Sequence, residues 1–349
     1  MYCRMLPPLE RCSAVMQGQF PVLRTLSLGC CVNGRHASVA INSFLGGYAP
    51  RLQKITLFHV PFLTLPNLLL SAKNLVKFHL NGTTGTGYIS PDALATCFSM
   101  LKRLEYIDVR FPFYRSFPRL TNRPPPPLTR AVLPALKRFE FEGVCKYSED
   151  LIARIDAPLL RTFSLDLFQQ PNFDISQVPQ FLRRVEIFNP PYTADIVLFD
   201  DDIKASLESR GCNSSFQLRL KFGYLVTPLL LVEQILTQCL PLTSQVYHLY
   251  LCSTTSPGPE DSALWLRVLR LFTAVQVLDV IGDVLGLDIA HTLSDLEVSS
   301  AADVLPMLHT IVLHAIEEIG PMVTPLFRPF LDARKLSDRP VAIVEPRFG

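Results

Sequence analysis

One phrase constrains this chain more than any other: LPALKRFEF, Leu133–Phe141. It reads hydrophobic, Pro, any residue, Leu, two of any kind, then two hydrophobics separated by one residue. Leu136, Phe139 and Phe141 are its apolar marks; Lys137, Arg138 and Glu140 fill the gaps. Alternation of Phe139 and Phe141 with polar neighbours is the pattern of a strand with one buried face. The same core recurs with anchors at Leu23, Leu52, Leu75, Leu104, Leu136, Leu160, Leu182, Ser215, Val246, Val275 and Leu308, spaced 22–33 residues apart. A strand too short to bury its own face, repeated at such a period, marks a stacked-repeat protein.

Helices are expected between the strands. Ser90–Leu101 carries Ser90 as N-cap and Pro91 at the first helical position. Ser148–Ile155, Asp200–Ser209, Thr227–Leu240 and Asp261–Phe272 complete the set, Asp200–Ser209 opening on three acids that suit a helix N-terminus. Strands returning through helices stack in parallel, with the helices on the other side. The expected fold is α/β: a leucine-rich-repeat-like solenoid of about eleven irregular repeats, with strands on the concave side of a horseshoe and helices on the convex side. Residues 1–19 form a short N-terminal segment, 20–330 the solenoid, and 331–349 a tail in which Val341–Val344 reads as a capping edge strand.

At 349 residues and 48% hydrophobic content, the chain buries a large core. A solenoid of this length need not split, because each repeat contacts only its neighbours. A net charge of +2, with 18% charged residues, supplies no global field for nucleic acid or an acidic membrane. The nine cysteines are odd in number, and none are spaced Cys-x-x-Cys. That favours reduced thiols and a cytoplasmic or nuclear setting over a disulfide framework. The N-terminus lacks the apolar run of a signal peptide, and the apolar stretch 228–240 is too short to span a bilayer and holds Glu233 and Gln234.

The stretches that resemble catalytic signatures have plainer readings. GTTGTGY at Gly82–Tyr88 lacks the following Lys-Ser/Thr of a phosphate loop and reads as a loop after a strand. His309 and His314 are not spaced as metal ligands, and Asp200–Asp202 reads as a helix start. Pro124–Pro127 reads as a stiff surface loop. The expectation is a protein that is not an enzyme and uses no cofactor or metal.

Function is then expected on the concave strand face. The residues between the strand hydrophobics mix charges, which suits a protein partner better than a nucleic acid. Because interface hot spots favour Tyr, Trp and Arg, the candidate partner-binding residues are Tyr106, Arg110, Arg138, Glu140, Arg184, Phe188, Arg219 and Tyr250.

The variants FPVLRTLSL, APRLQKITL, LPALKRFEF and APLLRTFSL resemble the repeat arrays of fungal F-box/leucine-rich-repeat proteins. The resemblance spans about Phe20 to Leu313. It implies substrate-recognition repeats of an F-box-type ubiquitin ligase, with a Skp-type adaptor as partner if an F-box lies upstream. Residues 1–19 are then the remnant of a truncated F-box region. The alternative is a leucine-rich-repeat scaffold or regulatory protein unrelated to ubiquitin. The repeats depart from the family consensus, which puts Asn or Cys three residues after the last strand hydrophobic. Cys31 fits; Val60, Pro112 and Val144 do not.

Overall fold

The anchor leucines close tight turns. In the computed structural model, Leu23, Leu52, Leu75, Leu104, Leu136 and Leu160 each donate their backbone N–H to the carbonyl three residues back, at 2.9–3.3 Å. Where the phrase carries proline (Pro21, Pro50, Pro134, Pro158), it takes the second turn position, whose φ the pyrrolidine ring already supplies. The carbonyl that follows each turn accepts two N–H groups from the next repeat. Arg24 O takes Gln53 and Lys54, Gln53 O takes Val76 and Lys77, and the pattern continues through Val76, Glu105 and Lys137, at 2.7–3.1 Å. Turn and shared carbonyl together fix the register of every strand that follows.

The described residues are 18–29, 44–59, 65–82, 89–111, 129–168, 174–185, 191–210, 214–221, 228–254, 262–314 and 323–345. The chain forms two compact units, Met1–Glu186 and Ile187–Gly349.

The first unit contains, in order, β1 (Thr25–Gly29), β2 (Lys54–Phe58), α1 (Leu65–Ser71), β3 (Lys77–Asn81), α2 (Pro91–Ser99), β4 (Tyr106–Arg110), β5 (Ala131–Val132), β6 (Arg138–Val144), α3 (Cys145–Ile152), β7 (Ile155–Asp156), β8 (Thr162–Phe168) and α4 (Gln177–Arg184). Strands β1, β2, β3, β4, β6 and β8 pair in that order, all parallel. The small β5–β7 pair stands apart. Register stacks Leu26, Ile55, Phe78, Ile107, Phe139 and Phe163 in one buried row, and Leu28, Leu57, Leu80, Val109, Phe141 and Leu165 in the next. Each such side chain withdrawn from water contributes about 1.5–3 kcal/mol before the entropy of ordering is counted. Helices cover this side: Phe98 of α2 meets Phe78 edge-on at 5.7 Å, and Phe181 of α4 meets Phe163 at 5.0 Å. The Ser90 Oγ accepts from Ala93 N at 3.2 Å, the cap expected for α2. Buried Glu149 of α3 caps α4, accepting from the N–H groups of Gln177 (2.7 Å) and Val178 (3.2 Å).

The second unit contains β9 (Pro191–Leu198), β10 (Asp202–Ser209), β11 (Ser215–Lys221), α5 (Pro228–Gln238), β12 (His248–Ser253), α6 (Ser262–Arg270), β13 (Val277–Ile281), α7 (Asp283–Ser294), β14 (Thr310–His314), α8 (Arg328–Leu336) and β15 (Ala342–Val344). Its strand order is β11, β10, β9, β12, β13, β14, β15. Val246 and Leu308 close the same turns, and the carbonyls of Tyr247 and Gln276 are shared as in the first unit. Ala194, Leu249, Leu278 and Ile311 align in one buried row. The expected edge strand is β15, paired parallel to β14. Fully buried Arg334 of α8 donates to the carbonyls of Leu308 (2.8 Å), Arg339 (3.3 Å), Ala301 (3.4 Å) and Pro306 (3.4 Å), tying α8 to the anchor turn before β14.

Two expectations fail, one at the end of the first unit and one at the start of the second. Among the described residues the Leu182 phrase is helical: Leu182, and Arg184 where a strand would begin, both lie in α4. Val178, Phe181, Leu182 and Val185 are spaced as one helical face, so Leu-x-x-hydrophobic satisfied the helix as well as the repeat. The strand slot is filled by β9, whose Ala194 and Ile196 align with Leu249 and Leu251. Asp200–Ser209 is also not a helix. Ile203, Ala205 and Leu207 alternate along β10, which runs antiparallel to both β9 and β11, so three strands follow one another with no helix among the described residues between them. The three acids that suggested a helix start lead into a strand. Ser148–Ile155 is helical only in part: α3 begins earlier, at Cys145, and ends at Ile152. Phe188, Cys31, Pro124–Pro127 and most of Gly82–Tyr88 lie outside the described residues.

Candidate functional site

The strand residues that point away from the helices form rows, because adjacent parallel strands hold them in register. In the first unit the strand starts place Lys54, Lys77, Tyr106 and Arg138 side by side. The next row is Thr56, His79, Asp108 and Glu140, and the third holds Asn81, Arg110 and Glu142.

Asp108 is the hub. It is buried, takes Arg110 Nε at 2.8 Å on one oxygen, and faces His79 Nδ1 at 3.3 Å on the other. Burial pushes its carboxyl upward, but the hydrogen bonds from His79 and Arg110 outweigh that and hold it below the ordinary Asp value. The bond to Asp108 raises the Arg110 guanidinium in turn. Arg110 also reaches Glu140 at 3.3 Å, and Arg138 pairs with the same carboxylate. Tyr106 lies between the two systems. Its ring is 4.6 Å from the His79 ring, and the Arg138 guanidinium sits over it at 5.5 Å. Burial, then the nearby Asp108 and Glu140 charges, push its hydroxyl up to about 12, so the phenol stays neutral and able to donate. Of the expected residues, the fold thus gathers Tyr106, Arg110, Arg138 and Glu140 into one network.

The second unit repeats the device. Asp279 of β13 is buried and held by two imidazoles, His248 Nε2 on one oxygen and His314 Nε2 at 2.6 Å on the other. Tyr250 aligns with Asp195 and Asp279, and its ring stacks on His248 at 4.1 Å. Burial and those two carboxylates raise its hydroxyl. Arg219 of β11 pairs with Asp202 through Nε at 2.9 Å, on the same sheet face.

Arg184 does not join either group. It is the last residue of α4 and donates to Asp156 at 2.7 Å and to the Ile152 carbonyl. Its position follows from the helical reading of the Leu182 phrase. Asp108, Asp279 and His314 are central to the networks yet are not among the candidate partner-binding residues named from the sequence; the available signal is the place of Asp108 and Asp279 between strand hydrophobics, and of His314 just after them. Among the described residues, no group of three or more His, Cys, Asp and Glu is placed to hold a metal. No described helix is long and apolar enough to cross a membrane.

Repeated anchor turns, in-register strands and helical returns define an α/β protein of the leucine-rich-repeat-like class. No family model and no curated protein matches the chain. Among solved structures, the chain is similar to the leucine-rich repeat-containing protein LegL7 of Legionella pneumophila. The alignment covers 91% of this chain and 93% of that one, at 12% identity and a TM-score of 0.30. A superposition that loose adds nothing to the class, which rests on the turns and the register.

Proposed function

We propose that the chain is a non-catalytic interaction module whose polar sheet face binds a protein partner. The observation that carries this reading is the Tyr106–Arg110–Arg138–Glu140 network. Aromatic and guanidinium groups of the kind that dominate interfaces are held there in fixed orientations by Asp108 and His79 before any partner arrives. The mixed charges suit a protein surface. Burial of the thiol-bearing residues Cys97, Cys145 and Cys239 in the core fits work in the cytoplasm or nucleus.

The finer reading is that these repeats hold a substrate for an F-box-type ubiquitin ligase. It is supported by the likeness of phrases such as APRLQKITL and APLLRTFSL to fungal F-box/leucine-rich-repeat arrays. Affinity purification with quantitative mass spectrometry tests both levels. Proteins captured by the wild-type chain should be lost with Tyr106→Ala/Arg138→Ala and kept with Met100→Ala, an exposed helix-side residue. Capture that survives the double substitution refutes the interaction face. Co-purification of a Skp-type adaptor with the full reading frame is the result expected of the ligase reading. Failure of that form to bind the adaptor refutes it and leaves a scaffold.

A further inference from the structure

We infer that the strand-start row of the first unit, built on Lys54 and Lys77, docks an acidic polypeptide segment bearing clustered oxyanions. This rests on the partner-face reading and names the partner's chemistry.

Lys54 and Lys77 are in-register neighbours on adjacent parallel strands. Their backbones are therefore only about 4.8 Å apart, and like charges side by side on a sheet face oppose each other. The other cations of this face are neutralised locally: Arg110 by Asp108 and Glu140, Arg138 by Glu140. Lys137, just before the row, has Glu105 at 3.0 Å. Lys54 and Lys77 have no ion-pair partner among the described residues, and their row neighbours are Thr25 and Tyr106. The fold thus holds two adjacent uncompensated charges, a cost that a bound anion would remove.

The face is also polarised along the strands. Lys54, Lys77 and Arg138 occupy strand starts, while Asp108, Glu140, Glu142 and Asp166 gather toward the middle and the ends, where Arg110 is the one arginine among them and is already held by Asp108 and Glu140. A partner with acidic groups over Lys54 and Lys77 and basic groups further along is complementary to both. The row from Lys54 to Arg138 crosses four strands, about 14 Å, which an extended segment of four or five residues spans. Tyr106 offers that segment an aromatic platform beside Lys77. A nucleic-acid backbone suits the face poorly, because the acids further along would repel its phosphates.

The test is fluorescence anisotropy at low ionic strength with four labelled probes: an eight-residue Glu/Gly peptide, its phosphoserine/Gly and Lys/Gly counterparts, and a single-stranded DNA octamer. The chain should bind the glutamate or the phosphoserine peptide, and which one binds tighter tells carboxylate from phosphate as the natural oxyanion. Lys54→Gln/Lys77→Gln should weaken that binding at least about tenfold, as loss of two interface charges does. Lys335→Gln/Arg270→Gln removes the same charge from exposed helix positions and should leave binding unchanged. Equal weakening by both double variants, tighter binding of the DNA, or no binding of either acidic peptide overturns the assignment. If partner capture still depends on Tyr106 and Arg138, such a failure retires the acidic segment and not the partner face.

Discussion

Phe139→Ala is the sharpest test of the register. Phe139 is fully buried, sits in the row between Ile107 and Phe163, and its ring is 5.6 Å from that of Phe163. Truncating a buried Phe costs about 3–5 kcal/mol, and losing the aromatic pair adds about 1 kcal/mol, for a total near 5 kcal/mol. Arg138→Ala, one residue away, should cost no more than about 1 kcal/mol, because the guanidinium is half-exposed and its bond to Glu140 is a surface pair. In a stacked-repeat protein the loss falls first on the damaged repeat and its neighbours. The only tryptophan, Trp265, lies in the second unit, so its fluorescence reads the wrong part of the chain. Hydrogen–deuterium exchange with peptide resolution is the suitable assay. Phe139→Ala should lower protection of 106–110, 138–144 and 162–168 by about a thousandfold or more, at roughly tenfold per 1.4 kcal/mol. Arg138→Ala should change it by less than about tenfold. Equal effects, or the reverse order, would mean that the strand faces are assigned the wrong way round.

Three further outcomes follow from the same geometry. Tyr106, titrated as the ultraviolet difference between wild type and Tyr106→Phe, should ionise near pH 12 and not near its ordinary 10.0; its raised value contributes stability that is complete below pH 10 and lost as pH rises through 12, and a midpoint at 10 would remove it from the network. Asp108 has the opposite sign: its lowered carboxyl contributes stability present above the ordinary 3.8 and lost as pH falls through the folded value, so Asp108→Asn should flatten the acid limb of the stability profile, and an unchanged limb would refute its role as hub. Arg334→Met should destabilise the second unit by about 2–4 kcal/mol, because carbonyls at the β14 turn lose their donor; urea unfolding followed by Trp265 fluorescence reads this, and a midpoint within error of wild type would contradict it.

Most of the repeat architecture was legible because anchor and strand speak the same periodic language. Phrases such as RLQKITL and NLVKFHL each encode a turn residue, a shared carbonyl and two inward side chains, and they became β2 and β3 in register. The misreadings arose where periodicity serves two structures at once. FLRRVEI supports a helical face as readily as a strand, and DDDIKASLES carries acids that suit a helix start while its apolar residues alternate. The site was legible to the extent that strand positions predict facing: Tyr106, Arg138 and Glu140 lie on the strand face away from the helices. Asp108 was harder, because a carboxylate becomes a hub only when register brings His79 and Arg110 to its two oxygens, and that pairing is encoded in separate repeats.

Site-specific photo-crosslinking tests the central claim, that the helix-free face of the first unit is the partner surface. A benzophenone side chain at Thr56, in the polar row beside His79, should yield discrete protein adducts in cells, while the same group at exposed Met100 at the end of α2 should not. Adducts at Met100 and none at Thr56 would contradict the account.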